Sequence, residues 1–208
     1  EDNTINGVSK EALSLSQEIA ANSGAELSLL TFSQSAAEEL KSYTSNEILL
    51  AKDDNLNDYN PLFYTAAVEK VMSENSFDLL ILAHTYQARD WVPRLSARCN
   101  IPFISDCIDY SIEGDDIDWV RSLYRAKINC KVKATSNKSI ISVQSGCFKA
   151  DNLNKGNSAI NEIEIDLSSV QKTIVPGEKF KESGSQIDLN SSDVIVAIGR
   201  GIAKEENI

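Results

Sequence analysis

Apolar positions in the first half of the chain follow two periods, one typical of helices and one typical of strands. Val8, Ala12, Leu15 and Ile19 recur at helical spacing, and Gly24 follows at the position of a helix C-cap. Further helices are predicted at 35–43, 61–75 and 90–99, and strands at 27–32, 48–51 and 79–83. Strands that alternate with helices are typical of βαβ units, so we predict a parallel sheet covered by helices.

The second half of the chain changes to a period of two. Predicted strands lie at 108–112, 119–124, 128–134, 140–143 and 160–167, with a turn at 114–116 between the first two. The first four of these strands predict antiparallel ribbons that extend the main sheet. The fold class is therefore α/β, with a mainly parallel, helix-flanked sheet of Rossmann-like or nucleotide-hydrolase-like type and antiparallel strands added in the second half.

A polar stretch at 178–186, rich in Lys, Glu, Ser and Gly, predicts a linker. We therefore divide the chain into an α/β domain at 1–185 and a segment at 186–208 that holds the linker and the start of a second domain. The helical pattern begins almost at once, and the last residues open a new strand–loop–helix unit. We expect a fragment of a longer protein, in which the first strand of the sheet precedes Glu1.

Composition excludes several classes of function. Twenty Lys and Arg against 31 Asp and Glu give a net charge of −11, which disfavours nucleic acid as a partner. No apolar run approaches the roughly 20 residues of a membrane span, and no secretory pattern is present. The four cysteines show no metal-ligand spacing, so we predict no metal site. We interpret each cysteine as a small buried hydrophobe in a reducing cytoplasm.

The only histidine follows the apolar strand at 79–83. His84 could act as a general base beside Asp90, with Arg89 and Arg94 nearby, but no Ser or Cys lies in a nucleophile motif. Thr85 or Asp90 is expected to cap the next helix. Arg94 and Arg98, one helical turn apart, are interpreted as surface or interface charges. We favour a structural or interface role for this region.

Two charged groups allow a functional and a structural interpretation. Asp106, Asp109, Asp115, Asp116 and Asp118 could bind a divalent cation, but a solvated hairpin explains them better. A second group is basic and aromatic, and consists of Arg121, Tyr124, Arg125 and Lys127. It could hold an anionic partner surface or a nucleotide phosphate. The simpler interpretation is a half-exposed strand with Trp119 and Leu123 on its other side.

Gly199-Arg200-Gly201 is the best cofactor candidate. It follows an apolar stretch at 194–198, predicted to be a buried strand, and should lead into a helix. Glycines let a backbone approach a phosphate, and a helix N-terminus attracts anions. The third glycine position of the dinucleotide motif is Lys204, so the match is partial. A simple tight turn is the alternative.

Five segments occur in this chain in the order found in the alpha subunit of electron transfer flavoprotein, which the chain resembles. They are His84-Thr85 with Arg89-Asp90 and 93–98, then 102–106, 120–127, 141–148, and 193–201 with Glu206-Asn207. The resemblance implies an electron carrier rather than a substrate-converting enzyme. Its FAD would be contacted by Arg200, with most of the site beyond Ile208.

The resemblance also implies partners and a location. The alpha subunit pairs with a beta subunit as a heterodimer, and the run 120–127 would contribute to their contact. Electrons would pass from dehydrogenases, including those of fatty acid β-oxidation, to a quinone-reducing or other acceptor, without membrane insertion. The location would be the cytoplasm, or the mitochondrial matrix in a eukaryote.

Two other classes of function remain as alternatives. One is a stand-alone nucleotide-binding α/β domain, an ATP or AMP sensor or a hydrolase. Such domains usually carry a glycine-rich phosphate loop, and the stretch 27–88 has none. The other alternative is a pure protein-interaction domain, which the sequence does not separate from the flavoprotein scaffold.

Overall fold

A computed structural model describes residues 5–114, 116–177 and 194–202. The helices are α1 Gly7–Ser23, α2 Gln34–Leu40, α3 Pro61–Glu74 and α4 Tyr86–Cys99. The strands are β1 Ser28–Thr31, β2 Glu47–Lys52, β3 Leu79–Ala83, β4 Phe103–Glu113, β5 Asp116–Leu123, β6 Ile128–Lys133, β7 Ser139–Val143 and β8 Ile160–Glu164. Short 3-10 helices lie at Asp54–Leu56, Ala150–Asn152 and Arg200–Ile202. No helix in the described ranges is long and apolar enough to cross a membrane.

The strands form two sheets, and most of their pairings are parallel. The first sheet has the order β1-β2-β8, with every pairing parallel. The second has the order β3-β7-β4-β5-β6, in which β7 pairs in parallel with β3 and β4, and β4, β5 and β6 form an antiparallel ribbon. The predicted fold class is confirmed, with β4, β5 and β6 as the antiparallel addition. The predicted place of 140–143 in the antiparallel ribbons is wrong, because β7 lies between β3 and β4 and pairs in parallel with both.

Glycine, proline and side-chain caps fix the ends of the helices. Gly24 caps α1 with a left-handed φ of 67°, which costs glycine no steric strain. Pro61 occupies the first turn of α3, and the Asn60 side chain before it accepts a hydrogen bond from the Leu62 N–H. α4 starts four residues earlier than predicted, at Tyr86, because Thr85 caps it.

Helices cover both faces of the sheets. On one face, Leu15 and Ile19 of α1 pack against Ile141 of β7. On the other face, Val92 and Leu95 of α4 pack with Ile140 of the same strand. Because β7 is covered on both sides, Ile140 and Ile141 are both fully buried. This two-sided burial explains why β7 is a continuous apolar run rather than an alternating one.

The chain divides into two compact units, Glu1–Pro176 and Gly177–Ile208. The predicted linker at 178–186 and the predicted boundary after residue 185 lie outside the described residues, so both stay predictions. The first unit ends in a strap that follows β8. Ile165 and Leu167 of this strap are buried, and the carbonyl of Ile174 accepts a hydrogen bond from Asn60 Nδ2 at 2.8 Å.

Two sequence interpretations need correction. Residues 194–198 are not a buried strand; they have no regular structure, and Val194 and Val196 are 80% and 84% exposed. A strand needs ladder partners and a covered face, and among the described residues this stretch pairs with no strand. The cysteines also differ from one another. All four are free, but only Cys107 is buried, while Cys147 is exposed.

Candidate functional site

The carboxyl ends of β3 and β7 meet a bulge in β4, and this is where polar side chains converge. His84 directly follows β3, and its N–H donates to the Val143 carbonyl at the end of β7. The pairing of β4 with β7 shifts between Ile104 and Cys107. Asp106 lies in that bulge with a left-handed φ of 61°. A non-glycine residue in this conformation is uncommon and needs local support.

Ser142 supplies that support from inside β7. Its hydroxyl oxygen accepts the Asp106 N–H at 3.1 Å and lies 2.8 Å from His84 Nδ1. Among the described residues, Nδ1 is the only hydrogen-bond acceptor that the Ser142 hydroxyl contacts, so the hydroxyl proton is assigned to that bond. The His84 proton is therefore assigned to Nε2, which lies 3.9 Å from Asp106 Oδ1. Gln144 Nε2 donates to the same carboxylate at 3.2 Å. We name Ser142, His84, Asp106 and Gln144 the carboxyl-edge cluster.

Electrostatics keep His84 in its neutral form. Burial lowers the pKa of His84 below its usual value, since the imidazolium loses water on entering the fold. The Asp106 carboxylate opposes this change, and the guanidinium groups of Arg89 and Arg121 reinforce it. The Nδ1 atom of a neutral imidazole can accept a hydrogen bond from the Ser142 hydroxyl, so the lowered pKa and the hydrogen-bond geometry agree.

The carboxyl-edge cluster contains a Ser, a His and an Asp, but it is not built as a nucleophilic site. Ser142 is fully buried, and its oxygen already accepts the Asp106 N–H and donates to His84. A substrate carbonyl has no access to such an oxygen. These hydrogen bonds instead hold the bulge of β4 against the ends of β3 and β7. The structural or interface role of the region stays a prediction.

Sequence reasoning missed Ser142 and Asp106 as the partners of His84. Ser142 is the one hydroxyl residue between the apolar neighbours Ile140, Ile141 and Val143 of a strand. A lone polar residue in a strand buried on both faces must find a hydrogen-bond partner, and this was the available signal. The partner lies 58 positions away in the chain, so only folding reveals it.

The charges after His84 take other partners. Asp90 accepts a hydrogen bond from the Tyr59 hydroxyl at 2.9 Å, and Arg94 lies 3.7 Å from the same carboxylate group. Arg98 pairs with Glu69 of α3 at 2.7 Å. The helix cap is Thr85, whose hydroxyl oxygen accepts the Ala88 N–H at 3.1 Å. The alternative cap, Asp90, is wrong because it lies inside α4.

The basic and aromatic group is split between a strand and a turn. Arg121 lies on the same face of β5 as Trp119, since alternate residues share a face, so the predicted placement on opposite faces is wrong. Its Nε is buried and has no hydrogen-bond partner. Tyr124, Arg125 and Ala126 follow with φ values of 52°, 58° and 60°. Tyr124 is 75% exposed at this turn, which we call the hairpin tip (124–127).

The acidic group belongs mainly to the β4–β6 ribbon. Asp118 pairs with Lys131 at 3.0 Å, and Asp116 pairs with Lys133 across the same two strands. Asp106 belongs to the carboxyl-edge cluster instead, and Asp115 lies outside the described residues. In the described part of the chain, no group of three or more His, Cys, Asp or Glu is arranged to hold a metal ion.

Gly199-Arg200-Gly201 leads into a 3-10 turn at Arg200–Ile202, where the described part of the chain ends. The Ile202 N–H donates to the Gly199 carbonyl at 3.1 Å. The helix predicted to follow lies outside the described residues and stays a prediction. The contact of Arg200 with a cofactor stays a prediction.

The loops at the carboxyl edge also bear on the nucleotide-binding alternative. After β1 the chain enters α2 through Phe32 and the N-cap Ser33, and after β3 it enters α4 through His84 and Thr85. Neither connection contains glycine, and both are too short to wrap a phosphate with backbone N–H groups. This geometry gives the nucleotide-binding alternative no support.

Two helix-flanked, mainly parallel sheets define a Rossmann-like α/β domain. The chain belongs to the electron transfer flavoprotein domain family, whose pattern matches residues 1–168. It is 29% identical over 174 residues to the electron transfer flavoprotein subunit alpha of Bacillus subtilis, covering 83% of this chain and 53% of the relative. It is 25% identical over 205 residues to Protein FixB of Clostridium saccharobutylicum, covering 96% and 61%.

A third relative, the electron transfer flavoprotein subunit alpha of Clostridium acetobutylicum, is 23% identical over 215 residues, covering 99% of this chain and 64% of the relative. The chain thus spans between about half and two thirds of the length of these curated relatives. The resemblance inferred from the ordered segments is confirmed at the level of the family and of relatives named as alpha subunits.

Proposed function

We propose that this chain is part of the alpha subunit of an electron transfer flavoprotein. The complete protein carries electrons from dehydrogenases to a quinone-reducing or other acceptor through FAD, in complex with a beta subunit. It works in the cytoplasm, or in the mitochondrial matrix of a eukaryote. The observation that carries the proposal is the family match over residues 1–168, together with curated relatives named as alpha subunits.

Within that protein, the Rossmann-like unit acts as scaffold and as part of the beta-subunit interface. Two features support this role. The carboxyl-edge cluster uses its polar atoms to fix loops, which leaves no accessible nucleophile in it. The hairpin tip presents Tyr124, Arg125 and Lys127 on a chain of net charge −11. A basic, aromatic tip suits contact with an acidic protein surface, because aromatic and arginine side chains are enriched at interfaces.

Arg200 is proposed to contact the FAD. Gly199-Arg200-Gly201 would supply one cationic group between two glycines, which is only part of a flavin site. A planar guanidinium can bind a phosphate with two hydrogen bonds or lie against an electron-rich ring. The rest of the FAD site is proposed to lie beyond Ile208. When bound, the flavin supplies the redox chemistry, and the protein positions it.

Flavin content tests the assignment. The complete polypeptide, co-purified with the beta subunit from the same source, is expected to hold FAD and to be reduced by an acyl-CoA or similar dehydrogenase. The 208-residue chain alone is expected to be colourless, without the absorption band at about 450 nm that an oxidised flavin itself produces. A complete heterodimer without flavin would overturn the proposed function, and a yellow 208-residue chain would overturn the placement of the FAD site.

Substitution of Arg200 tests its contact with the flavin. In the complete protein, Arg200→Ala should weaken FAD affinity about ten- to a hundredfold, the loss of one charge-assisted contact of roughly 1.5–3 kcal/mol. Arg200→Lys should restore only part of that affinity, since the guanidinium fork is absent. Flavin retention during dialysis measures the effect. Equal retention in all three proteins would show that Arg200 does not bind FAD.

The hairpin tip can be tested separately from the flavin. Arg125→Ala and Tyr124→Ala should each weaken association with the beta subunit by about tenfold or more, as for an exposed interface anchor. Tyr86→Ala is the matched control, because Tyr86 is 88% exposed on α4, outside the hairpin tip. Titration of labelled beta subunit measures the affinities. Equal affinity of the three variants would exclude the tip from the interface.

A further inference from the structure

The strap that follows β8 (165–176) is held in two different ways along its length. In its first part, Ile165 and Leu167 are buried in a cluster with the apolar side of α3. The Leu167 N–H also donates to the Asp53 carboxylate at 3.3 Å. From Gln171 onwards, every residue of the strap is exposed. The strap therefore has a packed part at 165–170 and an exposed part at 171–176.

A single side chain ties the exposed part of the strap to the rest of the unit. Asn60 Nδ2 donates to the Ile174 carbonyl at 2.8 Å, and Asn60 itself is only 2% exposed. Among the described residues, no other hydrogen bond or ion pair joins 171–176 to residues outside the strap. We call the hydrogen bond between Asn60 and Ile174 the clasp. Because the exposed part depends on this one bond, it can detach without disturbing the core.

The clasp gives a reason for asparagine at this helix N-cap. Asn60 Oδ1 accepts the Leu62 N–H at 3.0 Å and so caps α3, while Nδ2 donates to the strap. Aspartate and serine are equally good N-caps. An ionised aspartate, however, has no donor for the Ile174 carbonyl, and serine has one oxygen on a shorter side chain. Asparagine alone supplies an acceptor for the helix and a separate donor for the strap.

We propose that the clasp sets the length of the connector between the two compact units. With the clasp closed, the chain leaves the first unit at Pro176, where that unit ends. With the clasp open, 171–176 join the connector, and the chain leaves the first unit at Val170. An extended chain spans about 3.3–3.6 Å per residue, so this release adds about 20 Å of reach.

Both states of the clasp are accessible because its bond is weak. A hydrogen bond between uncharged groups shifts an equilibrium only about two- to tenfold, since the separated groups bind water instead. Opening uncovers part of the Ile174 side chain, whereas Val175 is already 73% exposed. The buried residues Ile165 and Leu167 hold the packed part of the strap in either state.

Trypsin reports the state of the clasp, because Lys172 lies inside the exposed part of the strap. Cleavage after Lys172 requires a detached chain, so its rate follows the open population when opening is fast. Asn60→Asp keeps a capping oxygen and loses the donor, so cleavage of the 208-residue chain should be about two- to tenfold faster. Asn60→Ser should have the same effect without introducing a charge. Mass spectrometry identifies the 1–172 product.

Two controls separate the clasp from a general loss of stability. Cleavage after Lys155, which an isolated β-bridge joins to Tyr43, is the internal reference. Thr85→Ala removes the cap of a different helix and leaves the clasp intact. The ratio of cleavage at Lys172 to cleavage at Lys155 should rise only in the two Asn60 variants. An unchanged ratio in both of them, or an equal rise in Thr85→Ala, would overturn the clasp.

Small-angle X-ray scattering of the 208-residue chain tests the connector itself. The largest dimension of the molecule should increase in Asn60→Asp and Asn60→Ser, by up to about 20 Å. Equal dimensions in wild type and both variants would overturn the link between the clasp and the length of the connector. Neither measurement needs flavin or beta subunit, so the proposed function and the clasp can fail independently.

Discussion

Two stretches of this chain have nearly the same hydrophobic pattern and opposite structures. Leu79–Ala83 forms strand β3, and Ala83 at its end is only 7% exposed. The stretch 194–198 is as apolar, yet it has no regular structure, and Val196 is 84% exposed. β3 pairs in register with β7 along its whole length and lies between helices. An apolar run of this kind therefore favours a strand, but ladder partners and a covering layer of helices decide whether the strand forms.

The residues after each stretch differ in the same way. After β3, His84 bonds to Ser142, and Thr85 caps a helix of 14 residues. After residue 198, the described part of the chain ends in a 3-10 turn at Arg200–Ile202. Polar residues next to a paired strand are thus placed by contacts with other strands. Four comparisons between variants of the 208-residue chain test how far those contacts account for the contrast.

The largest effect is expected from Ser142→Ala, which leaves the Asp106 N–H and His84 Nδ1 without their shared partner. Losing the partner of a buried polar group costs about 1–3 kcal/mol, so the free energy of unfolding should fall by about 2–3 kcal/mol. Urea denaturation measures the change. Ser122→Ala is the matched control, since Ser122 bonds only to exposed Asn129 on the ribbon. Similar losses in both variants would show that the carboxyl-edge cluster adds no special stability.

Leu82→Ala and Val196→Ala compare the two stretches directly. Leu82 packs against the cluster of Val92 and Leu95, so its truncation should cost about 2 kcal/mol, the lower end for an aliphatic core residue because Leu82 is only partly buried. Val196→Ala should change stability by less than about 0.5 kcal/mol, as for an exposed position. A matching loss at Val196 would mean that residues 194–198 are packed in solution.

Thr85→Ala should cost about 1 kcal/mol, because the Ala88 N–H loses its capping oxygen. Thr85→Ser retains the hydroxyl and should stay near the wild-type value. Thermal unfolding of the three proteins distinguishes a cap from simple packing. If serine were as destabilising as alanine, the methyl group rather than the hydroxyl would matter at this position.

The smallest effect is the pH dependence contributed by His84. Its pKa in the folded chain lies below the unfolded value of about 6.5, so the unfolded chain binds more protons between the two values. Stability from this group is complete above about pH 6.5 and falls as the pH drops toward the folded pKa. Wild type should therefore lose more stability than His84→Gln between about pH 7.5 and pH 5.5. Parallel curves for the two proteins would show that His84 titrates normally.

Local signals predicted much of the fold. The helical period of α1, its glycine C-cap and the proline at the start of α3 are short-range features, and each was found where the sequence placed it. The Thr85 cap was also among the expected alternatives. The strand that holds Arg121 was predicted, but its face was wrong. Positions 119 and 121 are two residues apart in β5, so both side chains lie on the same face.

The site was less predictable because its residues are distant in sequence. His84 stood out as the only histidine, and its expected neighbours were the charges that follow it in the chain. Of these, Asp90 instead binds Tyr59 and Arg94, while Ser142 and Asp106 reach His84 from two other strands. A hydrogen-bond partner is chosen by proximity in space, which depends on the order of strands in the sheet.

By itself, the sequence determined where the four helices lie, that helices flank the sheet, and, through five ordered segments, the family. These properties depend on periodicity and on short motifs. Only the tertiary structure decided that β3 becomes a strand while 194–198 does not, and that Ser142 holds His84. Those outcomes depend on which strands lie side by side, because a backbone ladder and a buried hydrogen bond each need a partner from elsewhere in the chain.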